Sequence, residues 1–238
     1  MFESGSAATS GDPASVFLAR HGETTWNVER RFQGHGDSPL SPRGHEQARR
    51  LGERLAGESI VAVYSSDLGR SVATAEYVAG PHGLTVQTHP GFREIDVGIW
   101  TGLRRDDTRA VPTWAQIMTT YRQRPWVARM PEGESVREVQ ARALAAIREI
   151  AARHRGKTIA VIAHHVVVET IVVEALGMSI EQLWLPHKAG NCFLSLLEVW
   201  PDRMTAPIVY DGCHVDDLGW LQGTKGEPEA PADDKATA

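Results

Sequence analysis

Arg20 and His21 stand where an apolar run stops: Val16-Phe17-Leu18-Ala19 leads straight into Arg20-His21-Gly22-Glu23. A guanidinium beside an imidazole suits an anionic substrate and a nucleophile or base. Two further groups are placed in the same way. Arg70 follows the apolar run 60–64 and the polar Ser65-Ser66-Asp67, and His164-His165 follows the run 158–163. A carboxylate, Glu94, lies in the aperiodic stretch 92–102 with Gly98 and Gly102. Each alone has an ordinary reading: a strand with polar ends, a solvated arginine, a loop acid. Together they describe cations, imidazoles and an acid that one fold would have to gather.

Parallel strands would gather them. The runs 16–19, 60–64 and 158–163 are short, unbroken and rich in β-branched residues, as expected of strands buried on both faces. Gly22 would let the chain turn sharply after the first. Ser41 and Pro42 read as N-cap and first residue of a helix whose Ala48, Leu51 and Leu55 share a face. Ser66 or Asp67 would cap a helix running through Val78, with Arg70 in its first turn, against the helix dipole. Val136, Val139, Ala143, Ile147 and Ile150 form one helical stripe, and a further helix spans about 166 to 177. Shorter strands are expected at 85–88, 191–199 and 207–210. The alternation predicts an α/β fold, a three-layer α/β/α sandwich on a mostly parallel, doubly wound sheet. In such sheets ligands bind where strand ends meet at a switch point.

The 238-residue chain has 42% hydrophobic and 23% charged residues, within the ordinary globular range, and carries a net charge of −5. That balance gives no overall basic field for nucleic acid or an anionic membrane, so a phosphate site would be a local cluster. Residues 1–15 have neither a basic nor an apolar signal region and are expected to be a disordered leader; so is the Gly-, Pro- and charge-rich tail 222–238. The most apolar window, 158–176, contains His164, His165, Glu169 and Glu174, which argues against a membrane span. Cys192 and Cys213 are too few for a disulfide framework and suit a cytoplasmic setting.

Leu18-Ala19-Arg20-His21-Gly22-Glu23-Thr24 with Trp26-Asn27 resembles the signature of the histidine phosphatase superfamily, also called phosphoglycerate mutase-like. So do the segments 33–41, 65–75 and 98–102, Glu94, and Val161-Ile162-Ala163-His164, in the family's order. The resemblance implies that His21 is the nucleophile, forming a phosphohistidine. It places Arg20, Arg70 and His164 around the phosphoryl oxygens and adds a hydrogen bond from Asn27. Gln33, Gly34 and His165 complete the expected substrate contacts. Glu94 would protonate the leaving oxygen and later help to activate water. No metal or other cofactor is implied, and the partner is a small phosphorylated metabolite.

Arg fits such a cage because its planar fork matches phosphate oxygens, and its charge keeps a neighbouring histidine neutral. Glu94 has the opposite task of holding a proton near neutral pH. His165 stands where the family usually has a small residue, so it would narrow the pocket or touch the leaving group. Either His164 or His165 could point inward, with strand register favouring His164. His35, His45, His82, His89 and His187 read as surface or loop residues, His187 being the one placed to approach the site.

The expected activity is a metal-independent phosphomonoesterase. A phosphoglycerate mutase is the first alternative, although the interval from Glu94 to His164 is shorter than the resemblance implies for mutases. A metallohydrolase using His21, His164, His165 and a carboxylate, and a non-catalytic phosphate-binding module, are the others. The stretch 104–130 reads as a poorly amphipathic helical insert carrying Trp114, Tyr121 and Trp126. Its Arg104, Arg105, Arg122 and Arg124 point to a second anionic group on the substrate. A homodimer through a sheet edge or the insert is compatible with the pattern.

Overall fold

The apolar run that ends at Arg20 becomes β1 (Ala14–Arg20), near the middle of a six-stranded sheet. The computed structural model describes residues 11–107, 113–183 and 189–218. The other strands are β2 (Ile60–Ser65), β3 (Val86–Thr88), β4 (Thr158–Ala163), β5 (Leu194–Val199) and β6 (Met204–Asp211), in the spatial order β3-β2-β4-β1-β5-β6. β1 to β4 run parallel; β5 is antiparallel to both neighbours. The sheet is therefore mostly parallel, as its apolar runs imply.

The helices are α1 (Thr25–Val28), α2 (Pro42–Leu55), α3 (Gly69–Ala79), α4 (Trp114–Gln123), α5 (Val136–Arg153) and α6 (His165–Ala175). The chain steps from β1 to β2 to β3 in one direction across the sheet, then returns through β4 to β5. With right-handed crossovers, α2 and α3 cover one face and α5 and α6 the other, and each pair packs together. The reversal lies between β1 and β4, so the crevice at their carboxyl ends is the switch point. Ile159, Val161 and Ile162 of β4 and Leu18 of β1 are fully buried. Burying each such side chain contributes about 1.5–3 kcal/mol, so the crevice is floored by the hydrophobic core.

Local signals account for the starts of α1, α2 and α5. Ser41 Oγ accepts from Gly44 N at 3.0 Å with Pro42 following, and Ser135 with Glu138 forms a capping box on α5. The apolar stripes of α2 and α5 are buried as expected.

Several expectations change. β1 begins at Ala14, two positions before the apolar run, so the ordered chain reaches into the expected leader. Val61 is exposed at an irregularity in the β2–β4 ladder, so β2 is not buried throughout. The insert holds one ten-residue helix, α4, among the described residues, and Arg104 instead pairs with Arg31 in an isolated bridge. Gly22 avoids the left-handed backbone region. It is needed for close approach: a Cβ there would lie 2.5 Å from Gly44 O, and one on Gly44 would lie 1.8 Å from Glu23 O. The turn after β1 is thus pressed against the first turn of α2. His187 and the tail 222–238 lie outside the described residues.

Candidate active site

Strand register brings the first histidine pair together. Arg20 pairs with Ala163 across β1 and β4, and the ladder continues one step further as His21 N donates to Ala163 O at 3.0 Å. His21 and His164, each the residue after its strand, therefore lie side by side with ring centroids 5.0 Å apart. β2 adds a third tip: Ser65 pairs with Ile162, and Ser66 N donates to Ile162 O.

His21 is 3% exposed. Its Nδ1 lies 2.7 Å from Gly22 O, which can only accept, so Nδ1 carries the ring proton. Nε2 faces Arg70 Nε at 3.3 Å, which can only donate, so Nε2 holds the lone pair. Burial, then the Arg70 and Arg20 charges, push the His21 pKa well below its ordinary value. The result is a neutral imidazole with one defined nucleophilic nitrogen.

Arg70 is 1% exposed, which removes the reading of a solvated arginine. Its Nη2 donates to Gly34 O at 2.9 Å and its Nη1 to Gly36 O at 2.8 Å and Asp37 Oδ1 at 3.2 Å. Asp37 also accepts from the backbone amides of Gly69 and Arg70, capping α3 from a distant loop. This corrects the expected local cap, because Leu68 holds the N-cap position and Ser66 is engaged elsewhere. The acid offsets the unfavourable placing of Arg70 against the helix dipole.

Ser66 Oγ lies 2.6 Å from His164 Nε2 and accepts from Leu68 N at 3.3 Å. Among the described residues His164 Nε2 is the acceptor within reach of the Ser66 hydroxyl hydrogen, and with that hydrogen donated to Nε2 His164 carries its own proton on Nδ1. That nitrogen is buried without a partner among the described residues, as is Arg20 Nε. Two buried donors without acceptors among the described residues, beside a neutral imidazole, are suited to receive an anion's oxygens. Burial, then Arg70 and His21, push the His164 pKa well down. Burial also lowers the Arg20 pKa, partly offset by the nearby Glu94.

Glu94 is held from behind. Its Oε1 accepts from Ile95 N at 2.9 Å and from Val166 N, in the first turn of α6, at 3.2 Å. Arg142 of α5 donates to the carbonyls of Gly91, Arg93 and Glu94 and pairs with Glu134 at 2.8 Å. Glu134 belongs to the 131–135 turn, and Gly98 fits against it so closely that a Cβ would lie 1.9 Å from Pro131 O. His35, expected as a surface or loop residue, lies in a loop and donates from Nε2 to Glu94 O at 2.9 Å.

A family model of the histidine phosphatase superfamily (branch 1) matches residues 16–211. The chain belongs to that superfamily. It is 31% identical over 226 residues to a probable phosphoglycerate mutase GpmB of Salmonella arizonae, covering 92% of this chain and 97% of the relative. Among solved structures, Bacillus stearothermophilus YhfR aligns with a TM-score of 0.80 and 34% identity, over 85% of this chain and 99% of that one. A mycobacterial glucosyl-3-phosphoglycerate phosphatase in complex with VO3 aligns at 0.75 and 26%, over 83% and 99%.

The remaining residues expected in this histidine phosphatase site are less central. Asn27 spends its Oδ1 on Thr24, capping α1, and retains its amide hydrogens. Gln33 Oε1 accepts from Ser38 Oγ at 3.4 Å. Gly34 contributes its carbonyl to Arg70 and packs against Val97 in the left-handed region, at φ 52°. His165 is 25% exposed in its side chain, and its Nδ1 lies 3.9 Å from Glu169, so His164 is the inward ring. Arg122 and Arg124 are exposed on the insert, whereas the charge of Arg105 acts on Arg20 and on Tyr121.

Sequence reasoning gave Ser66 only a helix-capping role and gave none to Asp37, Arg142 or Asn191. Ser66 and Asp37 lie inside the motif segments, which is the available signal for them. Among the described residues no cluster of three His, Cys, Asp or Glu could hold a metal ion. Both cysteines are unpaired, and no described helix is long and apolar enough to cross a membrane.

Proposed function

We propose that this histidine phosphatase is a metal-independent phosphomonoesterase acting on a small phosphorylated metabolite. The observation that carries the reading is the defined tautomer of His21: Nδ1–H on Gly22 O, and a lone pair on Nε2 beside Arg70. Nε2 attacks phosphorus, and the ester P–O bond breaks. The leaving oxygen takes a proton from Glu94. The Gly22 carbonyl then faces a positively charged phosphoimidazole. Glu94, now a carboxylate, accepts a proton from water as that water attacks phosphorus. The N–P bond breaks, inorganic phosphate leaves and His21 is regenerated. Arg20, Arg70 and His164 Nδ1–H hold the phosphoryl oxygens throughout, and this electrostatic positioning is the main source of rate in phosphoryl transfer.

The Arg105 charge near Arg20 and Tyr121 favours a leaving group with its own anionic substituent. The names of the Salmonella relatives favour a second reading, phosphoglycerate mutase. Rapid-quench labelling should trap phosphorus on His21, and a panel of phosphate esters should release inorganic phosphate with chelator present. Formation of 2-phosphoglycerate from 3-phosphoglycerate that depends on 2,3-bisphosphoglycerate and outpaces phosphate release would replace hydrolysis with the mutase reading. Loss of turnover on chelation would favour a metallohydrolase.

A further inference from the structure

We propose that Glu169 and Tyr210 are positioning residues that aim the Arg20 guanidinium through the backbone of Ala189. The chain of contacts is continuous. Glu169, on α6, is 1% exposed. Its Oε2 accepts from Tyr210 Oη–H at 2.6 Å and its Oε1 from Ala189 N at 2.9 Å. The carbonyl of the same Ala189 accepts from Arg20 Nη1 at 3.0 Å. The segment then returns to grip the pair from its backbone side: Asn191 Nδ2 donates to His21 O at 2.9 Å and Cys192 N to Arg20 O at 3.0 Å.

A buried carboxylate is costly, and an apolar residue of similar volume would fill the space more cheaply. What a carboxylate supplies here is an acceptor for the Ala189 amide and a negative charge that acts on Arg20. Fixing Nη1 on Ala189 O decides how the rest of the fork is presented, and among the described residues Nε is the buried Arg20 atom still without an acceptor. Two left-handed residues also mark the device. Cys192 sits at φ 61° and Tyr210 at φ 53°, the latter with its N–H on Ser195 Oγ at 3.1 Å. Non-glycine residues keep that conformation only where their surroundings enforce it.

The inference rests on the reading that Arg20 holds the phosphoryl group, and the test separates the two. Orthovanadate binding is measured by titration calorimetry for the wild type, Arg20→Ala, Glu169→Ala, Glu169→Gln, Tyr210→Phe and the Arg20→Ala/Glu169→Ala double variant. Glu169→Ala should weaken binding about 10-fold or more, as loss of a residue that orients a ligand-holding group does. Glu169→Gln keeps an acceptor for Ala189 N–H and should recover binding to within about threefold of wild type. Tyr210→Phe, the mildest change, should cost about threefold.

In the Arg20→Ala background, Glu169→Ala should change binding less than about twofold, because the effect passes through the missing guanidinium. Losses that multiply in the double variant, or unchanged affinity in Glu169→Ala and Tyr210→Phe while Arg20→Ala binds poorly, overturn the positioning role and leave the cage intact. Full affinity in Arg20→Ala would instead overturn the cage reading. If Glu169→Ala does not fold, Tyr210→Phe alone and combined with Arg20→Ala carries the same comparison.

Discussion

Replacing Ser66 with alanine isolates what the hydroxyl does for His164. The ring is fully buried, and the 2.6 Å contact from Ser66 is what holds its Nε2. Losing that contact leaves a buried nitrogen unsatisfied, at a cost of about 1–3 kcal/mol in stability. For a chain of this size, each kcal/mol lowers Tm by roughly 2–4 °C. The effect on activity follows from the tautomer. With Ser66 donating to Nε2, the proton sits on Nδ1 and is available to a phosphoryl oxygen. Without it, the ring exchanges tautomers or turns. A hydrogen bond to a charged acceptor is worth about 1.5–3 kcal/mol, so kcat should fall roughly 10- to 150-fold.

The loss in Ser66→Ala should be equal for alkyl and aryl phosphates, because the phosphoryl oxygens are common to both. Steady-state kinetics on the two ester classes, with nitrogen-15 NMR of the imidazole, reads the rate and the tautomer separately. A Ser66→Ala enzyme with lowered Tm but unchanged kcat would reduce the hydroxyl to a packing role. Wild-type spectra showing the proton on Nε2 would refute the tautomer argument outright.

Glu94→Gln should behave differently: a large kcat loss for alkyl esters and a small one for aryl phosphates, whose leaving groups need no proton; equal losses would remove Glu94 as the acid. Arg142→Met, which frees the loop behind Glu94, should show the same leaving-group dependence more weakly. Stability should fall on acidification. His21 and His164 have folded pKa values well below 6.5, so below that pH the unfolded chain binds protons that the fold refuses. Stability then drops by up to about 3 kcal/mol per pH unit for the two together, until the depressed folded pKa values are reached. A thermal melt series from about pH 7.5 to 5 checks the sign; a rising Tm would contradict it.

The sequence alone determined the buried strands, the start of α2 and which strand tips carry chemistry. These are local properties. A short β-branched run is a buried strand wherever it pairs, and Ser41-Pro42 caps α2 through a bond three residues away. Arg20, His21, Arg70, Glu94 and His164 were legible because they follow such runs or sit in recognisable segments.

The tertiary structure decided what orients them. Asp37 reaches across to α3, Ser66 to a histidine on another strand tip, Arg142 to the loop of Glu94, and Glu169 with Tyr210 to the segment that holds Arg20. A hydrogen bond depends on a few tenths of an ångström and a direction, and these partners are tens of residues apart in the chain. Hydrophobic periodicity specifies which face of an element is buried; it does not specify which polar atom waits on the other side. For the same reason Gly22 looked like a turn residue and proved to be a point of contact with Gly44, since the neighbour that excludes a side chain there arrives only when α2 docks.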